Sequence, residues 1–320
     1  MPSSSLVLSY IEDYAARDVA PFVESLRTTG YEGDIVFFTS NVKADCESLF
    51  AAHGVRDIPV RRVDMKSAVQ IPDWLATRLG VSSPIRPDAV LNTRLAALFE
   101  SLGVGDSAVA RRMAQCLWHC NSGRFFYYQQ FLERHREYDR VLLADVRDVL
   151  FQRSPFSGVA ADALYLFEEF PDTPLGRQVD NASWIRRLYG AAVLNEIGHF
   201  PIVCAGVMMG GHAHVLECVA QIARESVTNY IGWGTDQGTL NFLVRTGRLP
   251  ATAVSPYGHG PAMHVGIAHR DTIRTGERGR VLNREGEVCN IVHQYDRHPD
   301  LMTTLLRREE EPSVEAPASG

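Results

Sequence analysis

The first sixty residues place the strongest limit on the fold. "LVLSY" (6–10) is a short, continuously apolar run, followed at roughly 15–29 by a stretch where Val19, Phe22, Val23 and Leu26 recur at helical spacing. Gly30 and Gly33 end that stretch, and "DIVFFTS" (34–40) is a second apolar run. "CESLFAAHG" then reads as a helix stopping at Gly54, and "VRDIPVRRVD" as a third, weaker strand. Near-continuously apolar strands that alternate with helices are strands covered on both faces. The expected fold is therefore α/β: a Rossmann-type, mostly parallel central sheet flanked by helices. Open sheets of this class take their ligands at the carboxyl ends of the strands.

Further along, 65–110 reads as helical or irregular, and "RRMAQCLWHCNSGRFFYYQQFLERHREYDR" as a long amphipathic helix split near Asn121–Gly123. "ALYLFEEF" (163–170) and "PIVCAGVMMGG" (201–211) are strands, with a polar loop and helix between them. "AHVLECVAQIARESVTNYI" is a helix, and "GTDQGTLNFLVRTG" begins another. Beyond 250 periodicity is lost until "CNIVHQYDRHPDLM" (289–302), a short strand that turns polar. The acidic tail 307–320, rich in Pro, Ala and Ser, is expected to be disordered.

Composition narrows the partners. A net charge of −6 argues against nucleic acid and anionic membrane surfaces. No apolar run is long enough for a membrane span, and the N-terminus lacks the basic start of a signal peptide. Six scattered cysteines read as reduced thiols, so a cytoplasmic location is expected. "CLWHC" (116–120) has no second Cys/His pair to complete a zinc site.

The chemistry concentrates at "RVLLADVRDVLFQRSPF" (140–156). A buried strand there runs directly into Asp145, Arg147 and Asp148. Carboxylates at a strand's carboxyl end suit a hard divalent cation, which could bridge a diphosphate. The two aspartates share a side only if the chain turns helically after Asp145, which leaves Arg147 for a phosphate or for pairing a carboxylate. A plain solvated turn is the competing reading.

This stretch resembles the DxD region of glycosyltransferases with the GT-A fold. "CAGVMMGG" (204–211) resembles the "NAGV" strand of family 8 glycosyltransferases and their relatives, and "TDQGTLN" (235–241) resembles their "DQDxLN" helix start. "VHQYDRHPD" (292–300) stands where those enzymes carry a C-terminal metal-binding His. Two positions depart from the pattern: Arg147 replaces the second DxD aspartate, and Cys204 replaces the Asn.

The resemblance implies one GT-A-like catalytic domain over 1–306, with a nucleotide-binding half at about 1–150 and an acceptor-binding half at about 151–306. It implies Mn²⁺ or Mg²⁺ held by Asp145 and His293; either Asp148 stands in for the second DxD aspartate, or the ion has fewer protein ligands, or Arg147 does part of its work on the phosphates. Tyr10, Arg124, Arg147, Arg297 and His298 would contact the nucleotide diphosphate. Asp236 and Gln237 would face the donor sugar near the reacting carbon, and Ala205–Gly206 would let the backbone come close to a substrate. Glu168 and Glu169 could contact acceptor hydroxyls or act as a base, and Trp184, Trp233 and Tyr189 could form an aromatic acceptor platform.

The activity so implied is transfer of a sugar from a nucleotide-diphosphate donor to a carbohydrate or other hydroxyl-bearing acceptor, with retention. A homodimer is left open. The alternatives are a haloacid-dehalogenase-like phosphohydrolase, whose second aspartate would fall on Arg147, and a non-catalytic nucleotide-sugar-binding protein.

Overall fold

The computed structural model describes residues 4–62 and 87–310. β1 (Ser5–Glu12), β2 (Asp34–Ser40) and β3 (Val55–Pro59) form the first parallel strands, and β4 (Arg140–Ala144) joins β1 on its other edge. β5 (Val149–Phe151) follows β4 after a four-residue turn. β6 (Leu164–Phe167), β7 (Val207–Gly211) and β8 (Thr252–Ser255) complete a seven-stranded sheet of order β3-β2-β1-β4-β7-β6-β8. All pairs are parallel except those of β7 with β4 and β6. Strands from both halves of the chain thus share one sheet. β5, β9 (Ala262–His264) and β10 (Ile291–His293) make a separate three-stranded sheet, with β10 central.

Side-chain alternation puts apolar residues on both sheet faces. Leu6, Leu8 and Tyr10 of β1 enter one core while Val7 and Ile11 enter the other. β2 repeats this, with Val36 and Phe38 on the first face and Ile35 and Phe37 on the second. α1 (Ala16–Thr28) buries Val19, Phe22, Val23 and Leu26 beneath the second face. Its start is fixed by Asp18, whose carboxylate accepts the Ala15 N–H at 3.0 Å. α2 (Asp45–His53) stops at Gly54, which is left-handed as expected of a C-terminal glycine.

The remaining helices in chain order are α3 (Pro87–Ser101), α4 (Ala108–Leu117), α5 (Cys120–Arg134), α6 (Val179–Ile197), α7 (His212–Thr228), α8 (Thr235–Arg245) and α9 (Pro299–Glu310). Five of them, α3, α4, α5, α7 and α8, cover the first face of the sheet. α6 packs on α8, and α9 lies against α1. No helix among the described residues is long and apolar enough to cross a membrane.

Four expectations change. The long helix breaks at Trp118–His119, not at Asn121–Gly123. Trp118 turns its indole into the core, donating to the Ser226 carbonyl at 2.6 Å and stacking on Tyr230. The 201–211 strand is regular only from Val207, because a turn at Ala205–Gly206 precedes it. The stretch after 250 contains β8 and β9, each too short to show a period. Residues 307–310 belong to α9; the rest of the expected disordered tail, 311–320, and the 63–86 part of the irregular stretch lie outside the described residues.

Asn241 ties α8 to the approach of β7. Its fully buried amide donates to the Val203 carbonyl and accepts the Val203 N–H, both at 2.8 Å. Asn241→Ala would strand two buried backbone groups at about 1–3 kcal/mol each. We expect urea unfolding to report a loss of roughly 2–4 kcal/mol; a loss under about 0.5 kcal/mol would contradict this role.

Candidate functional site

The turn Asp145–Asp148 leaves the carboxyl end of β4 and feeds β5. Because β7 runs the opposite way, its amino end lies at the same sheet edge, and the Asp145 N–H donates to the Gly206 carbonyl at 2.8 Å. β10 pairs antiparallel with β5 in a register that sets His293 opposite Val149. Gln294, left-handed at φ 62°, donates its N–H to the Asp148 carbonyl at 2.7 Å. These contacts bring His293 to the two aspartates. Its Nε2 lies 3.4 Å from Asp148 Oδ1 and 3.9 Å from Asp145 Oδ2.

His293 is buried, and its Nε2 has no hydrogen-bond partner among the described residues. A buried nitrogen that makes no hydrogen bond and faces two carboxylates at 3.4 and 3.9 Å fits a cation ligand. The three ligand atoms lie within 4.8 Å of one another. A Cβ on Gly206 would stand 2.6 Å from His293 Nε2 and 3.0 Å from Asp145 Oδ2, so glycine keeps the convergence point clear. The residues present therefore suit Mn²⁺ or Mg²⁺, with the imidazole favouring the transition ion.

Behind His293 stands His264, its neighbour across the parallel β9–β10 pair. The two Nδ1 atoms are 2.7 Å apart, and Cys204 Sγ is 3.6 Å from His293 Nδ1. Burial pushes His264 well below the usual imidazole range, and His293 adds to the effect. Burial likewise pushes the Cys204 thiol well up, with Glu169 adding to it. The backing is thus neutral, and His264 occupies the Nδ1 side while Nε2 faces the carboxylates. Cys204, His264 and His293 are also a second group with ligand atoms within 4.8 Å; among the described residues, Cys116, His119 and Cys120 form no such group.

Burial would lower the pKa of His293, but Asp148 first, then Asp145 and Glu169, outweigh it and hold the pKa above 6.5. Burial would raise that of Asp148, but His293 and Arg297 hold it below 3.8. Both shifts favour the imidazolium–carboxylate form of the pair. The stability from His293 is complete below 6.5 and lost as pH rises through its folded value; that from Asp148 is present above 3.8 and lost as pH falls through its folded value.

Two lobes meet at this cluster, of about 280 and 310 Å³. Asn121, Arg124, Asp145, Asp148 and Arg297 line both. One lobe extends to Tyr10, Glu12, Tyr14 and Arg147 at the end of β1. The other extends to Gln178, Asp180, Asn181, Trp184, Trp233 and Gln237.

The expected diphosphate contacts fare unequally. Arg147 is exposed on the first lobe, and Arg297, 3.2 Å from its neighbour Asp296, borders both. Tyr10 lines the first lobe with its ring beside Tyr127. Arg124 is different: it is buried on α5, with Nη1 on Asp145 Oδ1 and Nη2 3.3 Å from Asp236 Oδ2. Burial opposes its charge, but the carboxylates, Asp145 foremost, raise its pKa, so it stays cationic and held between them. His298 does not join the cleft; its Nε2 lies 2.8 Å from the Val265 carbonyl, which it ties down instead.

Asp236 is buried against Arg124, and burial pushes its carboxyl up while Arg124 offsets part of the rise. Gln237 reaches the second lobe, donating to Asn181 Oδ1 at 3.0 Å and accepting the Ala205 N–H at 3.3 Å. Glu169 lines the same lobe, whereas Glu168 is taken up by Arg245 at 2.7 Å. Tyr189 is not a platform: it stacks on Phe242 and donates to Thr239.

His264, Gln178, Asp180 and Asn181 join the site without any motif that marks them. The one sequence signal is that "AMH" ends in histidine after a short apolar run, as "IVH" does. No protein-family model matches this chain, and a search of curated proteins found no match.

Gly206→Ala should weaken Mn²⁺ binding roughly 10–100-fold, read by electron paramagnetic resonance of free Mn²⁺; unchanged affinity would contradict the assigned convergence point. A cation must displace the His293 proton. Mn²⁺ affinity in the parent protein should therefore rise with pH above 6.5, with proton release visible by calorimetry in buffers of different ionisation enthalpy. A pH-independent affinity would exclude His293 as a ligand.

Proposed function

We propose that this chain is a metal-dependent glycosyltransferase that moves a sugar from a nucleotide-diphosphate donor to an acceptor hydroxyl. The carrying observation is the meeting of Asp145, Asp148 and the buried Nε2 of His293, which faces both carboxylates, between two polar lobes at the carboxyl edge of the sheet. A GT-A-like arrangement is part of the same reading. It rests on the resemblance of four stretches in chain order, which adjoin in space through Asp145, Cys204–Gly206, Gln237 and His293.

In this reading Asp145, Asp148 and His293 hold Mn²⁺ or Mg²⁺, which when bound supplies positive charge to the diphosphate. Arg147 and Arg297 stand at the rim with N–H groups for phosphate oxygens. Together they would take up the charge that develops as the nucleoside diphosphate departs. The lobe of Tyr10 and Tyr14 would take the nucleoside, and the lobe of Asp236, Gln237 and Asn181 the sugar and acceptor. Arg124 orients Asp145, fixing one carboxylate oxygen so that the other faces His293. Retention goes with the Asp236–Gln237 resemblance. The phosphohydrolase alternative is not favoured, because Arg147 stands where its second aspartate, the acid–base partner of the nucleophile, would be.

A thermal-shift series of nucleoside diphosphates with and without Mn²⁺ tests the proposal. A ligand at a hundredfold excess over its dissociation constant adds about 2.7 kcal/mol. The expected rise in melting temperature needs both partners and disappears in Asp148→Asn and His293→Ala. A rise that ignores Mn²⁺, or that survives both substitutions, would defeat the reading.

A further inference from the structure

We infer that Trp233 is a stacking platform for a pyranose ring, so that the acceptor is a carbohydrate; this rests on the transferase reading. Trp233 is 57% exposed, and among the described residues it is the one aromatic ring in the set of exposed large apolar side chains. It also lines the second lobe. A lone exposed apolar residue is ordinary, but this indole is held in place from several sides.

Gly232 and Gly234 flank it at φ 92° and 85°, a backbone that residues with a side chain rarely adopt. The loop is tied by the buried Thr235, whose hydroxyl donates to the Gly232 carbonyl at 2.8 Å and accepts the Ile231 N–H at 3.1 Å. Trp184 packs edge-to-face on Trp233, centroids 4.8 Å apart, and a Cβ on Gly234 would overlap the Trp184 indole. A ring fixed this way loses little freedom when a ligand lands on it.

The chemistry of the surroundings selects the ligand. An indole face is negative at its centre and apolar, which matches the weakly positive C–H face of a pyranose. The sugar's hydroxyls need polar partners in the same lobe. Asp180 and Gln178 supply carboxylate and amide groups in the same lobe. A wholly apolar acceptor chain would cover these groups without offering them a hydrogen bond beyond those they make with each other and with Asn181. In the transferase reading the nucleoside takes the other lobe, across the cation cluster, which leaves this lobe to the transferred sugar and the acceptor; an exposed ring at its border is assigned to the acceptor.

Ligand-observed saturation-transfer NMR on the full chain with Mg²⁺ and a nucleoside diphosphate tests this, using a panel of methyl glycosides and disaccharides. We expect saturation concentrated on one C–H face of the sugar for at least one member. Competition titration should show affinity falling about tenfold in Trp233→Ala, an amount near 1.4 kcal/mol, and largely kept in Trp233→Phe. Melting curves of both variants check that they fold. No saturation of any sugar, or equal binding by folded Trp233→Ala, would overturn the platform. The thermal shift of the parent protein with nucleoside diphosphate and Mn²⁺, run on the same preparation, reports separately on the transferase reading.

Discussion

The site depends on the register of two three-residue strands. β5 begins one residue after Asp148, and β10 ends at His293; their antiparallel pairing puts His293 beside the carboxylate turn. A slip of one residue would turn the imidazole to the opposite face. The Gln294 N–H bond to the Asp148 carbonyl fixes the register from outside the pair, with a left-handed backbone on a residue that is not glycine. Backbone of this kind persists only where its surroundings over-determine it. Here the Gln294 backbone is held between the Asp148 carbonyl and the one-turn helix Tyr295–Arg297, whose Arg297 N–H it accepts.

A second constraint is the charge of Arg124. A buried guanidinium is tolerated only when paired, and removing one partner of such a pair typically costs about 3–5 kcal/mol. Its partners come from the end of β4 and the start of α8, so one side chain couples the Asp145–Asp148 turn to the N-terminus of α8. That coupling fixes Asp145 with one oxygen turned toward His293, while the exposed Arg147 and Arg297 line the cleft and in the proposed reading meet the phosphates.

Much of this is legible from residue patterns because the decisive groups sit where apolar runs stop. Asp145 and Asp148 end one run and His293 ends another, and strand ends are where a parallel sheet offers its ligands a place. The alternating cores of β1 and β2 are legible because a strand covered on both faces must be apolar at nearly every position. Other features depend on contacts between distant positions. Nothing local marks Arg124 as turned inward between carboxylates, or ties the His298 ring to the Val265 carbonyl. His264 gains its place only through the β9–β10 pairing, and three-residue strands are too short for a period to show. The helix break at Trp118 follows from an indole bond to Ser226, more than a hundred positions away.

The central claim is that a side chain from the far end of the chain and two from its middle share one cation. Anomalous diffraction at the manganese edge, on crystals soaked with Mn²⁺, tests it most directly. The account predicts a single strong peak within coordination distance of His293 Nε2 and a carboxylate oxygen from each of Asp145 and Asp148. A peak elsewhere, or one touching the aspartates with His293 still turned to a protein partner, would contradict it.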